Sequence, residues 1–175
     1  MKSRILIFAA ALTLLAGCNR GPKEPTRDEL AQSIDSIEAP LMQAAMIEAI
    51  DTAQGNKLVA LYIQFADTYP DDTLSAAYLH RAAQVANGMG LIDDMTTYYD
   101  RVIDNYPDYA NLDECYYEKG LALDNAGRKE EARKAYQEFL TEYPDHFLAN
   151  DIQTSLSLLD MSDELLIEYL NKQNK

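Results

Sequence analysis

Tyr69-Pro70-Asp71, Tyr106-Pro107-Asp108 and Tyr143-Pro144-Asp145 are three copies of one tripeptide, each 37 residues from the next. Self-similarity at a fixed interval of this size marks a stacked array of small units, none of which can bury its apolar face alone. Such an array favours an interaction surface over a catalytic pocket. Laid on the 37-residue offset, the chain aligns without gaps. Tyr62, Tyr99 and Tyr136 superpose, as do Phe65, Val102 and Phe139, and Leu58, Met95 and Ala132. Upstream, Ala45, Ala82 and Lys119 align, then Met46, Ala83 and Gly120, then Ala49, Ala86 and Leu123. Within a copy these positions recur at intervals of three and four, which is the helical spacing.

Each copy carries a break between its two helical patterns: Gln54-Gly55-Asn56, Asn87-Gly88-Met89-Gly90 and Asn125-Ala126-Gly127. Glycine there can take the positive φ that ends a helix. Gly90 falls on Gly127, and on Ala53 in the first copy. Each unit is therefore expected to be two antiparallel helices joined by a tight turn. At the tripeptide, proline lacks a backbone donor and disfavours a helical residue before it, so it closes the second helix. Asp71 or Asp72, Asp108 and Asp145 are placed to cap the next helix, and the preceding Tyr to pack under the neighbouring pair. Thr26-Arg27-Asp28-Glu29 has the pattern of a capping box, opening a helix of about ten residues. Helix pairs are expected at about 40–53 and 57–68, 73–87 and 91–105, and 110–125 and 129–142. A last pair, about 147–160 and 163–172, closes the open end, with Phe147, Ile152, Leu156 and Leu159 inward and Asn150, Asp151 and Gln153 toward water.

The third copy is the clearest. Tyr116, Gly120, Leu123, Gly127, Ala132, Tyr136, Phe139 and Pro144 resemble the tetratricopeptide repeat (TPR), spacing included. The resemblance implies an all-α solenoid spanning 26–175, with an N-terminal helix, repeats at about 39–72, 76–109 and 113–146, and capping helices at 147–172. It also implies small residues where helix backbones cross, which suits Gly120 and Ala132, with Tyr136 filling the space between pairs. Lys119 departs from the family's large aliphatic residue; its methylene stem can pack while its amine reaches water. In that family the first helix of each pair lines a binding groove. Carried over, the groove residues are Gln43, Ile47 and Ile50, then His80, Gln84 and Asn87, then Glu114, Tyr117, Leu121 and Asp124. This mixture of apolar, amide and acidic groups suits a peptide or a partner helix. The alternative is that several are solvated or bury against the N-terminal helix. Gln43, His80 and Tyr117 do not form the basic clamp with which some TPRs hold a terminal carboxylate.

The chain opens with Lys2 and Arg4, then twelve nearly continuous apolar residues from Ile5 to Ala16, then Gly17-Cys18. This is the layout of a secretory signal peptide, residues 1–17, since twelve helical residues span only ~18 Å and a hydrocarbon layer is ~30 Å. Leu15-Ala16-Gly17-Cys18 resembles the lipobox of bacterial lipoproteins, which implies that Cys18 becomes the acylated first residue. Multiple acyl chains give a durable anchor, at ~0.8 kcal/mol per buried CH₂. Residues 18–25 then form a polar tether with one Gly and two prolines. Asn19 after the cysteine implies, in the enterobacterial sorting pattern, the outer membrane over the inner, with the domain in the periplasm. Loss of Lys2 and Arg4 with the leader takes the net charge from −14 to −16. Phosphates and anionic headgroups repel such a chain, and no Lys/Arg cluster breaks the balance, so nucleic acid is excluded as a partner. With Cys18 lipidated, Cys115 has no partner for a disulfide and reads as a small buried hydrophobe.

No constellation for chemistry emerges, and no cofactor is implied. His80 and His146, the only histidines, lie in different repeats without Cys or His at metal-ligand spacing. The register supplies no carboxylate beside His80, so both read as surface or groove residues. Asp71-Asp72 and Asp93-Asp94 stand at helix starts, where cap and dipole effects explain them better than a hydrolase dyad. Asp124-Asn125-Ala126-Gly127 lacks the remaining oxygen ligands of a calcium loop. The expectation is a non-enzymatic, lipid-anchored TPR scaffold that binds envelope proteins or peptides. A lipobox followed by Tyr-Pro junctions, and the stretch Asn111-Leu112-Asp113 to Tyr117-Glu118-Lys119-Gly120-Leu121, resemble the TPR lipoprotein of the outer-membrane β-barrel assembly machine. The helix pairs also resemble the TPR region of the Tol–Pal-associated coordinator. The alternatives are a solute- or glycan-binding lipoprotein, disfavoured by the absence of Trp, and a non-catalytic accessory subunit of an envelope enzyme.

Overall fold

A computed structural model describes residues 24–173. Among the described residues there are eight helices and no strand: α1 (Arg27–Ala45), α2 (Thr52–Thr68), α3 (Thr73–Gly88), α4 (Ile92–Asn105), α5 (Leu112–Asn125), α6 (Lys129–Glu142), α7 (Ala149–Leu159) and α8 (Asp163–Gln173). From α1 to α7 each helix packs chiefly on its sequence neighbours, α2 on α3, α3 on α4 and α5 on α6 most extensively. The polar cross-links sort them into two layers. Arg81–Glu38, His80–Glu118 and His146–Asp113 join α1, α3 and α5 to the segment before α7, while Arg101–Asp67 and Arg128–Asp93 join α2, α4 and α6. This is the expected TPR-like solenoid of consecutive helix pairs. None of the described helices is long and apolar enough to cross a membrane. The expected leader and Cys18 lie outside the described residues, as does the tether up to residue 23.

The 37-residue period is visible in the backbone itself. Tyr69, Tyr106 and Tyr143 terminate α2, α4 and α6 with φ/ψ of −128°/59°, −130°/62° and −129°/56°, and each donates its backbone N–H four residues back. The pre-proline position explains this common geometry, because the ring that follows disfavours the helical well. Two turns also repeat: Gly90 and Gly127 sit at φ 74° and 73°, and Leu91 and Arg128 donate to Ala86 and Leu123, five residues back. These are Schellman closures, for which a positive-φ glycine is the low-strain choice.

Packing follows the register as well. Tyr62, Tyr99 and Tyr136 are 1 % exposed, and Phe65, Val102 and Phe139 are fully buried. Each phenylalanine contributes about 1.5–3 kcal/mol by its removal from water. A Cβ on Gly120 would lie 2.7 Å from Cδ1 and Cε1 of Tyr136, so the ring occupies the space that the glycine vacates. Ala132 is also fully buried. Lys119 keeps its stem packed, but its amine meets Asp100 at 2.6 Å rather than open water alone.

The first copy departs from the pattern. No helix covers 40–53; α1 runs from Arg27 through Pro40 to Ala45, and residues 46–51 form a turn. Leu30, Ile34 and Leu41 form one buried stripe against α2 and α3, and that packing carries the helix past the bond the proline forfeits. The anticipated break at Gln54-Gly55-Asn56 lies inside α2, because Asp51 accepts from the Gln54 N–H at 2.8 Å and starts the helix earlier. The Thr26–Glu29 capping box forms as expected. Of the tripeptide aspartates, Asp72 caps α3 through the Leu74 N–H at 2.9 Å. Asp108 and Asp145 do not cap, because α5 and α7 begin later, after Asn111 and Leu148. Ile152 is buried as expected, whereas Phe147 is 82 % exposed, stacked only on His146 at 4.4 Å. It lies in the turn before α7, so the helical periodicity that aimed it inward does not apply.

Candidate functional site

The layer of α1, α3 and α5 holds the densest polar cluster among the described residues, and His80 is its centre. His80 sits mid-way along α3 and is 4 % exposed. Its Nε2 lies 2.8 Å from Glu118 Oε2 on α5, and its Nδ1 lies 3.2 Å from the Tyr109 hydroxyl. Tyr99 donates its hydroxyl to Glu118 at 2.7 Å, and the Gln84 amide donates to both Glu118 oxygens at 3.2 and 3.1 Å. Glu118 is an acceptor only, so Nε2 donates to it, while Nδ1 pairs with the Tyr109 hydroxyl and the Gln84 amide also lies 3.2 Å from Nε2. The expectation of a surface His80 with no carboxylate beside it is therefore corrected. The carboxylate comes from α5, one repeat along the chain, and the ring closes the seam between two units. His146 is likewise paired, its Nε2 lying 3.1 Å from Asp113.

Electrostatics favours an ionised Glu118 at the centre of this cluster. Burial opposes the charge on Glu118, but hydrogen bonds from His80, Tyr99 and Gln84 together outweigh it and hold its pKa below the ordinary glutamate value. Burial first, and then the Glu118 charge, raises the Tyr99 pKa, while burial pushes Tyr109 up to about 12. Cys115 is fully buried, and burial together with Glu118 and Glu114 pushes its thiol well above the ordinary range. It is a packed side chain and not a nucleophile, since reactivity requires the thiolate. Both nitrogens of His80 are engaged inside the cluster. What the cluster offers outward is the partly exposed Glu118 carboxylate, steadied by Gln84. That is an acceptor site for a cationic or amide donor.

The remaining residues singled out from the sequence divide into three groups. Gln84 and Ile50 come together with Glu38, Met42 and Arg81 around a cleft of about 300 Å³ between α1 and α3. Ile50 also covers Gly55 and Gly88, whose missing side chains leave room for it. Glu114, Tyr117, Leu121 and Asp124 follow one another along α5; Leu121 is 38 % exposed, and Asp124 accepts from the Tyr136 hydroxyl at 3.2 Å. Gln43 and Asn87 are exposed near helix ends, and Ile47 lies in the turn after α1, beside the equally exposed Met46. Glu118, Glu38, Arg81 and Met42 were not singled out from the sequence. One signal pointed to two of them: Arg81 and Glu118 share a register position, and both reach back to the preceding first-layer helix, to Glu38 at 3.0 Å and to His80.

Residues 114–146 match the family model for the tetratricopeptide repeat, a stretch that contains most of α5, all of α6 and the third Tyr-Pro-Asp. No curated protein matches the chain. A repeat of this kind points to protein–protein interaction rather than to catalysis.

Proposed function

We propose that this chain is a lipid-anchored scaffold of the bacterial cell envelope, which holds partner proteins or peptides on the face built by α1, α3 and α5 and serves outer-membrane assembly. The tetratricopeptide match at residues 114–146 carries the scaffold reading. The face itself supports it: a cleft floored by Met42, Ile50 and Val85 adjoins the Gln84–Glu118 pair. Apolar side chains of a partner would enter the first while its donors meet the second. Thioether side chains such as Met42 suit partners of varied shape. The anchor and the location rest on Leu15-Ala16-Gly17-Cys18 and Asn19, and the acidic balance selects partners with basic or neutral surfaces.

Site-specific photocrosslinking in cells tests this reading. A crosslinker at Gln84 or Tyr117 is expected to yield adducts with discrete envelope proteins, barrel or peptidoglycan-linked ones among them, and Cys18→Ser to release the chain from the membrane fraction. Absence of adducts, together with a saturable response to sugars, would replace the scaffold with a glycan-binding lipoprotein. A chain that stays equally membrane-bound after Cys18→Ser would remove the lipid anchor.

A further inference from the structure

The α2/α4 and α4/α6 seams of the second layer are one repeat apart, and they are closed differently. At the α4/α6 seam Arg128 precedes α6 with φ −81° and ψ 61°. Its guanidinium reaches Asp93 of α4 at 2.5 Å and Glu131 of α6 at 2.5 Å, bridging the two helices. Shifted by 37 residues, Arg128, Asp93 and Glu131 become Leu91, Asn56 and Asp94. Leu91 holds nearly the same backbone, φ −86° and ψ 70°, yet it has no charge with which to bridge. It is 37 % exposed, and among the described residues no cation pairs with Asp94.

Both seams carry a groove, the one at α4/α6 being about 660 Å³ beside Lys119 and Glu138, but the α2/α4 seam is bridged only toward its C-terminal end, by Arg101–Asp67, and has no ion pair at Leu91. The groove at α2/α4 is about 570 Å³, floored by Val59, Ile63, Leu91 and Tyr98, with Asp94 and Asp67 on its rim. It extends along α2 from Asn56 to Asp67, about 16 Å at the helical rise, or three turns of a docked helix. Arg101 already engages Asp67 at 2.5 Å, so the rim carboxylate without an ion-pair partner among the described residues is Asp94, in the first turn of α4. We propose that the α2/α4 groove is a second docking surface, for an amphipathic helix of a partner protein that lays aliphatic side chains on Ile63 and Tyr98 and sets an Arg or Lys against Asp94. The incoming cation takes the place that Arg128 fills within the chain one repeat later. This surface belongs to the layer opposite the α1–α3–α5 face and stands independently of the function proposed above.

The test uses the chain carrying Cys18→Ser and a synthetic 14-residue helical probe (the length is arbitrary, about four turns) with leucines along one side flanked by arginines. Nitrogen-15 spectra are expected to show saturable shifts at Ala60, Ile63, Leu91 and Tyr98. Leu91→Arg, which installs the bridge in cis, should weaken the probe at least about tenfold, the scale of a lost charged contact. Gln153→Arg, exposed on α7 and away from both surfaces, should leave binding unchanged. Should Leu91→Arg disturb folding, probes with Glu for Arg, or Ser for Leu, make the same distinction on the unaltered groove, and both should fail to bind. Equal affinity for Leu91→Arg, shifts centred on Gln84 and Tyr117, no saturable shift, or sedimentation showing that a second copy of the chain covers the groove would each overturn the proposal.

Discussion

Gly120 and Tyr136 share one volume: the place where a Cβ on the glycine would lie is 2.7 Å from two carbons of the tyrosine ring. The ring is 1 % exposed and its hydroxyl is held by Asp124, so it has nowhere to retreat. Gly120→Ala is expected to cost stability despite its better helix propensity, and Gly120→Leu to cost about 1–3 kcal/mol or more through overpacking. Thermal unfolding followed by circular dichroism measures this; an unchanged midpoint for Gly120→Leu would contradict the crossing.

The three tripeptide aspartates should behave unequally. Asp72 caps α3 and also receives Arg27 Nε at 2.7 Å, which with the Leu74 N–H lowers its pKa. Asp72→Ala should lose about 1 kcal/mol or somewhat more. Asp108→Ala and Asp145→Ala, which remove no cap, should stay within about 0.5 kcal/mol. Chemical denaturation of the three variants separates them, and equal losses would show that the tripeptide caps all three helices.

Acid should loosen the seam between the second and third units. Because the folded pKa of Glu118 lies below its ordinary value of 4.5, its contribution is fully present above that value and disappears as pH falls through the lower, folded one. Glu118→Gln should therefore destabilise the protein at neutral pH and flatten the acid limb of its stability profile. The loss at neutral pH is about 1.5–3 kcal/mol, the scale of a charge-assisted hydrogen bond. A pH series of urea midpoints for both proteins decides the point. Parallel acid limbs would show that Glu118 is not the group that titrates.

Alkali acts with the opposite sign. Burial is the leading cause of raised pKa values at Tyr62, Tyr99 and Tyr136, each with a carboxylate adding to it: Glu38, Glu118 and Asp124. Folding keeps these hydroxyls neutral, so their contribution is complete below the ordinary tyrosine value of 10.0 and is lost as pH rises beyond it. Tyrosinate absorbance should appear in two stages, the partly exposed tyrosines first and the buried Tyr62, Tyr78, Tyr99 and Tyr136 only with loss of helical signal. A single early stage with the helices intact would mean that these rings are open to water.

The sequence alone determined the repeat, the helix pairing and the small-against-large crossings, because those depend on local rules with a fixed period. A proline ends a helix wherever it stands after a tyrosine, a glycine takes positive φ in the Schellman turn, and apolar spacing of three and four makes a stripe. The tertiary structure alone decided the length of α1 and the fate of His80. Whether a helix continues through Pro40 depends on what Leu30, Ile34 and Leu41 find to pack on, which no local rule contains. Glu118 is 38 residues from His80 along the chain and 2.8 Å from it in space. The angle at which one helix pair lies on the next sets that distance, and it turns two unremarkable side chains into the polar centre of the face.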